Sequence, residues 1–188
     1  MTSARAKPFL LGLVAVAIAA ISLIWFNGPH AAVSCALGWT MLAIAASDAE
    51  SFRIPDALSL PCIPLGVVAA YVLDASGGGA TVILHQSVAA LFGGLLLYAV
   101  REGYYYWRNR EGLGFGDVKL GAVAGAWTGF QGTTNVILLG CVFALVCVTI
   151  LTLSQRRAFN ATMELPLGVF LAPAIWMVWV SSGLAGAA

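Results

Sequence analysis

The chain has 188 residues, of which 61% are hydrophobic and 9% are charged, and its formal net charge is +1. A soluble domain carries about 25% charged residues, so this composition excludes a soluble globular protein and leaves an integral membrane protein. The net charge says nothing about nucleic acid, but there is no basic run to bind it, so no nucleic-acid partner is expected and the surroundings are the lipid bilayer. Cys35, Cys62, Cys141 and Cys147 lie in apolar segments and form no C-x-x-C pair. A zinc site or redox dithiol is therefore not expected, and neither is another metal or cofactor.

In chain order, Arg5 and Lys7 precede an apolar run over 9–26. That run exceeds the 7–15 residues of a signal-peptide core, so it reads as a retained first span, with a cleaved signal processed near the small residues Ala32 and Ser34 as the alternative. A turn at 27–30 leads to a second run over 31–46. The polar segment 47–56 separates this from a third run, 57–73, which contains Pro61 and Pro64. A glycine-rich turn at 74–80 precedes the fourth run, 81–100. His85 and Gln86 lie toward its outer end and are expected to make interhelical hydrogen bonds. Residues 101–117 read as the longest polar connection, with Tyr104, Tyr105, Tyr106 and Trp107 as interface anchors. A fifth run, 118–130, falls short of the roughly 20 residues of a spanning helix, and it can extend into 131–134. The sixth and seventh runs cover 135–153 and 165–184.

These runs predict an all-α, polytopic transmembrane bundle of about seven spans, forming one integral membrane domain over 1–188. The span 9–26 is an addition to a core at about 31–184. With the N-terminus in the cytoplasm, all nine basic residues fall on the cytoplasmic side: Arg5, Lys7, Arg53, Arg101, Arg108, Arg110, Lys119, Arg156 and Arg157. The positive-inside rule asks for this distribution. The C-terminus is then outside.

Two aspartates stand out against this frame. Asp117 follows three glycines at alternate positions in the segment 111–120 and stands where an apolar helix begins, a place where Asp serves well as a cap. Asp48 ends the second helix, where the dipole disfavours a carboxylate. The topology sets both at the cytoplasmic boundary. Paired carboxylates that share a proton can hydrolyse a peptide bond, one activating water while the other polarises the carbonyl. Asp56 reads as a helix cap and Glu164 as a cap of the last helix, while Glu50, Glu102 and Glu111 read as loop residues. Lys119 reads as a snorkelling side chain, with contact to an acidic substrate group as the alternative.

The residues around both aspartates resemble the type IV prepilin peptidase family, leader peptidases of the GxGD aspartyl class. Asp48, followed by Ile54-Pro55-Asp56-Ala57-Leu58, is similar to the family's first motif. Arg110 to Leu120, with Gly114-Phe115-Gly116-Asp117, is similar to the second. Leu165 to Ala172 carries a weaker third similarity, with Val169 where the family usually has proline.

The resemblance implies that Asp48 and Asp117 are the catalytic pair. It also implies prepilin or pseudopilin substrates, whose short basic leader is cut at the cytoplasmic face of the bacterial inner membrane, just before an apolar pilin helix. Gly114 and Gly116 would let the substrate backbone lie close to Asp117, and Arg53 and Lys119 would contact its acidic group. Bifunctional relatives carry C-x-x-C pairs and also methylate the product; without such pairs, methyl transfer is not expected here. The competing readings are a small transporter, in which the aspartates bind cations or protons, and a non-catalytic scaffold of a pilus or secretion assembly.

Overall fold

The computed structural model describes residues 3–74, 77–110, 112–155 and 166–185. Glu111, the basic pair Arg156 and Arg157, and the expected cap Glu164 lie outside these residues. Six helices follow one another: α1 (Ser3–Trp25), α2 (Pro29–Ser51), α3 (Asp56–Leu73), α4 (Ala80–Arg108), α5 (Phe115–Gln155) and α6 (Gly168–Ala185). The described residues contain no strand. Five helices are long and apolar enough to cross a bilayer, and the apolar part of α6, Gly168–Gly183, is shorter. The protein is thus a multi-pass, all-helical membrane protein.

Helix ends differ from the expected ones in a consistent way. α2 continues through Ser47, Asp48 and Glu50 instead of stopping at Ala46, and α4 continues through the aromatic cluster to Arg108. Glu50 and Glu102 are therefore helical, and Glu102 pairs with Arg101 at 2.6 Å. Charged and aromatic residues are tolerated in a helix that leaves the hydrocarbon, so each helix runs on until a backbone stop. For α4 the stop is Asn109 in the left-handed region (φ 49°), whose N–H reaches back to Tyr105 O at 2.8 Å. For α2 it is Phe52 in the same region.

The fifth and sixth apolar runs form one helical element interrupted at Gly129, where φ is 69° and ψ is −172°. Only glycine adopts that backbone conformation readily. Residues 131–134, expected as an extension of the fifth run, are helical and lie beyond the break. The chain reverses there: Gly125 lies against Ala89, Gly129 against His85 and Gln86, and Thr133 returns beside Gly93. His85 meets Phe130 edge-on with centroids 5.2 Å apart. The carbonyl oxygen of Gln86 is buried without a hydrogen-bond partner among the described residues, so it does not make the interhelical bond expected of it.

Small residues set the closest approach in the bundle. A Cβ on Gly93 would stand 2.1 Å from Gly121 O, and one on Gly125 would stand 2.0 Å from Ala89 O. Lipid tails are as apolar as leucine, so helices in a bilayer associate through such close packing. Gly125→Ala is expected to force α4 and α5 apart and destabilise the protein by about 1–3 kcal/mol. Thermal unfolding in detergent should show a lowered Tm, because the clash is with backbone that cannot rotate away.

The other helices pack around this pair. Leu37, Met41 and Ile44 of α2, Leu120 and Val123 of α5, and Ile175 of α6 form the fully buried centre. α1 is fastened to α2 by the buried contact of Ser22 Oγ with Ser34 Oγ at 2.8 Å and by Trp39 Nε1 donating to Ala15 O at 3.1 Å. Trp176 of α6 donates to Ser34 O at 3.2 Å.

Candidate active site

Asp48 lies in the last turn of α2 and is only 5% exposed. Its helix ends at Phe52 (φ 53°, ψ 30°), whose N–H donates to Asp48 O at 2.9 Å. An aromatic residue in the left-handed region carries a strain of about 1 kcal/mol. Ser47 Oγ donates to Arg53 O at 3.2 Å, which ties the following loop to α2. Pro55 then ends the loop, and its carbonyl accepts the N–H groups of Leu58 and Ser59 in the first turn of α3.

The position of Asp48 at the wrong end of its own helix is only half of its environment. Its Oδ2 accepts the main-chain N–H of Val169 at 3.1 Å, at the N-terminus of α6. A helix N-terminus offers free N–H groups and the positive end of the dipole, so α6 supplies what α2 denies. Gly168 makes the approach possible, because a Cβ there would stand 2.7 Å from that oxygen.

Asp117 is the third residue of α5 and not its cap, because the helix already begins at Phe115. Its N–H reaches Gly114 O at 3.2 Å, and it is 7% exposed. The two flanking glycines differ. A Cβ on Gly116 would stand 2.9 Å from Ile54 Cβ, so this glycine serves the packing of α5 against the α2–α3 loop. A Cβ on Gly114 would meet nothing closer than Asp117 Oδ2 at 3.4 Å, which leaves open space beside the carboxylate.

Asp48 and Asp117 line one cleft of about 280 Å³, together with Phe52, Arg53, Ile54, Gly114, Phe115, Gly116 and Lys119. All six residues singled out from the sequence thus come together: Asp48, Asp117, Gly114, Gly116, Arg53 and Lys119. The basic pair is not equivalent within it. Lys119 Nζ pairs with Asp56 Oδ1 and lies 5.4 Å from the centre of the Phe115 ring. Asp56 is accordingly an ion-pair partner in the first turn of α3 and makes no side-chain capping bond. Arg53 also lines the cleft and makes no ion pair with a carboxylate among the described residues.

Five residues of the site were not visible in the sequence as contributors: Gly168, Val169, Phe52, Ile54 and Phe115. Gly168 and Val169 lie in the segment with the third, weaker similarity, which pointed to the place without a role. Nothing in the sequence marks Phe52, because its left-handed backbone is imposed by the turn into α3. Among the described residues no three His, Cys, Asp or Glu side chains gather to hold a metal ion. Chemically, the cleft offers two sequestered carboxylates on separate helices, with space for a backbone beside one of them. A water held between such groups can be deprotonated by one while the other hydrogen-bonds an adjacent carbonyl.

Comparison with known proteins agrees with this chemistry. A profile of the type IV leader peptidase family matches residues 35–149, a stretch that contains both aspartates. A Pseudomonas putida protein named prepilin leader peptidase/N-methyltransferase is 34% identical over 171 residues, covering 88% of this chain and 56% of the relative. The Pseudomonas aeruginosa protein of the same name is 34% identical over 142 residues, or 75% of this chain and 46% of the relative. One from Aeromonas hydrophila is 28% identical over 178 residues, covering 93% and 59%. The chain therefore spans about half the length of the curated relatives it matches. No solved structure matches it significantly.

Proposed function

The chain belongs to the type IV leader peptidase family, and from that premise we propose that it is a membrane-embedded aspartic endopeptidase that removes the leader of prepilins or pseudopilins. The observation that carries the proposal is the cleft in which Asp48 of α2 and Asp117 of α5 lie together, both nearly inaccessible. Asp48 and Asp117 are the catalytic pair. One takes a proton from the attacking water while the other polarises the scissile carbonyl, and the collapse of the tetrahedral intermediate returns a proton to the leaving amine. Val169 N–H holds one oxygen of Asp48 and so orients the other toward the cleft. The space at Gly114 receives the substrate backbone, and Gly116 keeps Asp117 in register against Ile54. Arg53 meets an acidic group of the substrate. Lys119 acts on the substrate only through the position of Asp56 and Phe115, to which it is already committed.

Residues 1–188 form one peptidase domain in the bacterial inner membrane, with the cleft on the cytoplasmic side. Seven segments cross the bilayer, with the two arms of α5 on either side of Gly129 as separate passes. In support, Arg53 and Lys119 line the cleft and Arg101 stands over Phe115 at its edge, so these basic residues gather at one end of the bundle, as positive-inside orientation requires. The arm 115–128 is about 21 Å long at 1.5 Å per residue, shorter than the roughly 30 Å hydrocarbon core. Asp117 is consequently drawn inward from the membrane surface. That depth suits a bond lying next to an apolar segment.

The test is coexpression with a prepilin in a host that lacks a leader peptidase. A shift to the shorter form with the wild-type chain supports the proposal; a full-length prepilin would sink it. Phe52 gives a second measurement. Phe52→Gly is expected to raise stability by about 1 kcal/mol through relief of its left-handed strain, yet to slow cleavage severalfold by removing an exposed ring from the rim of the cleft. A melting curve read beside a cleavage assay separates the two effects.

A further inference from the structure

A second cavity, about 480 Å³ and almost wholly apolar, lies between α3, α4 and the first arm of α5. We propose that this groove binds the apolar, membrane-embedded segment of the substrate that follows the scissile bond; the inference rests on the peptidase reading above. The first support is continuity. Phe115 lines both the groove and the cleft that holds Asp48 and Asp117, so the two spaces adjoin at this residue. Arg101 and Lys119 each stand over the Phe115 ring, at 5.9 and 5.4 Å from its centre, and fix it in place. A chain leaving the carboxylates past Phe115 enters the groove directly.

The second support is shape. The α4 wall presents Ser87, Ala90, Leu91, Gly94, Leu95 and Tyr98, which recur at helical spacing along one face. From Ser87 to Tyr98 this stripe is about 16 Å long, roughly half the hydrocarbon thickness. Its floor is made of small residues: Ala90 and Gly94 on α4 and Ala122 on α5. Floors of this kind let another helix approach closely in a bilayer. The second arm of α5 also presents large exposed side chains, such as Leu138, Val142, Leu145, Val146 and Ile150, and serves as the comparison surface. The groove differs from that surface in its floor of small residues and in adjoining, at Phe115, the cleft that holds Asp48 and Asp117.

The experiment places a photo-crosslinking amino acid singly at Ser87 or Leu95 in the groove, or at Leu138 or Val146 on the lipid-facing arm. Each is built into the full chain carrying Asp117→Asn and reconstituted with a prepilin in vesicles. All four positions are exposed or lie on lipid-facing surface, so the substitutions leave the bundle intact. Adducts with prepilin from positions 87 and 95 are expected at least tenfold above those from 138 and 146. Equal yields from both faces, or lipid adducts alone from the groove, would overturn the inference. A parallel reaction with the unsubstituted chain tests the underlying reading: cleavage there, with no groove adduct, discards the groove and keeps the peptidase. An uncut prepilin discards both. As a second variant, Leu95→Trp should raise KM for prepilin at least tenfold with little change in kcat, while Leu138→Trp should change neither.

Discussion

An Asp117→Asn chain is expected to leave a coexpressed prepilin uncut, with cleavage reduced by about 10²–10⁴-fold, and Asp48→Asn is expected to do the same. These magnitudes are those of losing a positioned acid or base. The amide has nearly the shape of the carboxyl group, so the cleft keeps its volume and its lining. What is lost is the ability to take up and return a proton. At Asp48 the amide oxygen can still accept the N–H of Val169, so α6 should stay docked. Both carboxylates are nearly inaccessible, and sequestering a carboxylate is costly. Replacing either one by a neutral group should therefore hold or raise the Tm. The check is a gel-shift assay paired with thermal unfolding of the same preparations. Normal processing by either variant would remove that residue from the mechanism. A collapsed Tm would mean that its role is structural.

Gly168→Ala is the more discriminating substitution, because residue 168 touches neither water nor substrate in the proposed mechanism. Its Cβ would stand 2.7 Å from Asp48 Oδ2 and 3.0 Å from Ile54 Cδ1. The carboxylate, which is held at that spot by Val169 N–H, must shift. A displacement of about 1 Å in a reacting group can cost 10²-fold. The expected outcome is a fall of about that size in kcat with KM nearly unchanged, since substrate contacts elsewhere in the cleft are untouched. Gly103→Ala is the matched control: a Cβ there meets nothing within 4 Å, and cleavage should stay at the wild-type rate. Wild-type kinetics in Gly168→Ala would show that the start of α6 does not set the position of Asp48.

Taken alone, the sequence settled the class of the protein and the chemistry in prospect. Apolar runs of spanning length can only be helices in a bilayer, because every main-chain N–H and C=O must find its partner within the segment. Asp48 and Asp117 were legible because each sits where its neighbours are apolar, small or of the wrong helix polarity. Helix ends were less legible. Ser47 to Ser51 and Arg101 to Arg108 are polar or aromatic, yet they stay helical, because polarity does not break a helix that has reached water. The stops are Phe52 and Asn109, both in left-handed conformations that composition does not announce. The division of α5 is similar: the sequence offers many glycines, and only packing against His85 and Gln86 selects Gly129 for the break.

What the tertiary structure alone decided is the company each charge keeps. Lys119 faces the same cleft as Arg53, but it is neutralised by Asp56, 63 residues earlier in the chain. Asp48 is oriented by an N–H 121 residues away. The two aspartates reach one cleft because α5 can lie against the α2–α3 loop at Gly116 and α6 can begin against Asp48 at Gly168. Local sequence governs which residues are helical through main-chain bonds made within a few positions. The site depends on where helix ends come to rest, and that is set by close contacts between residues distant in the chain.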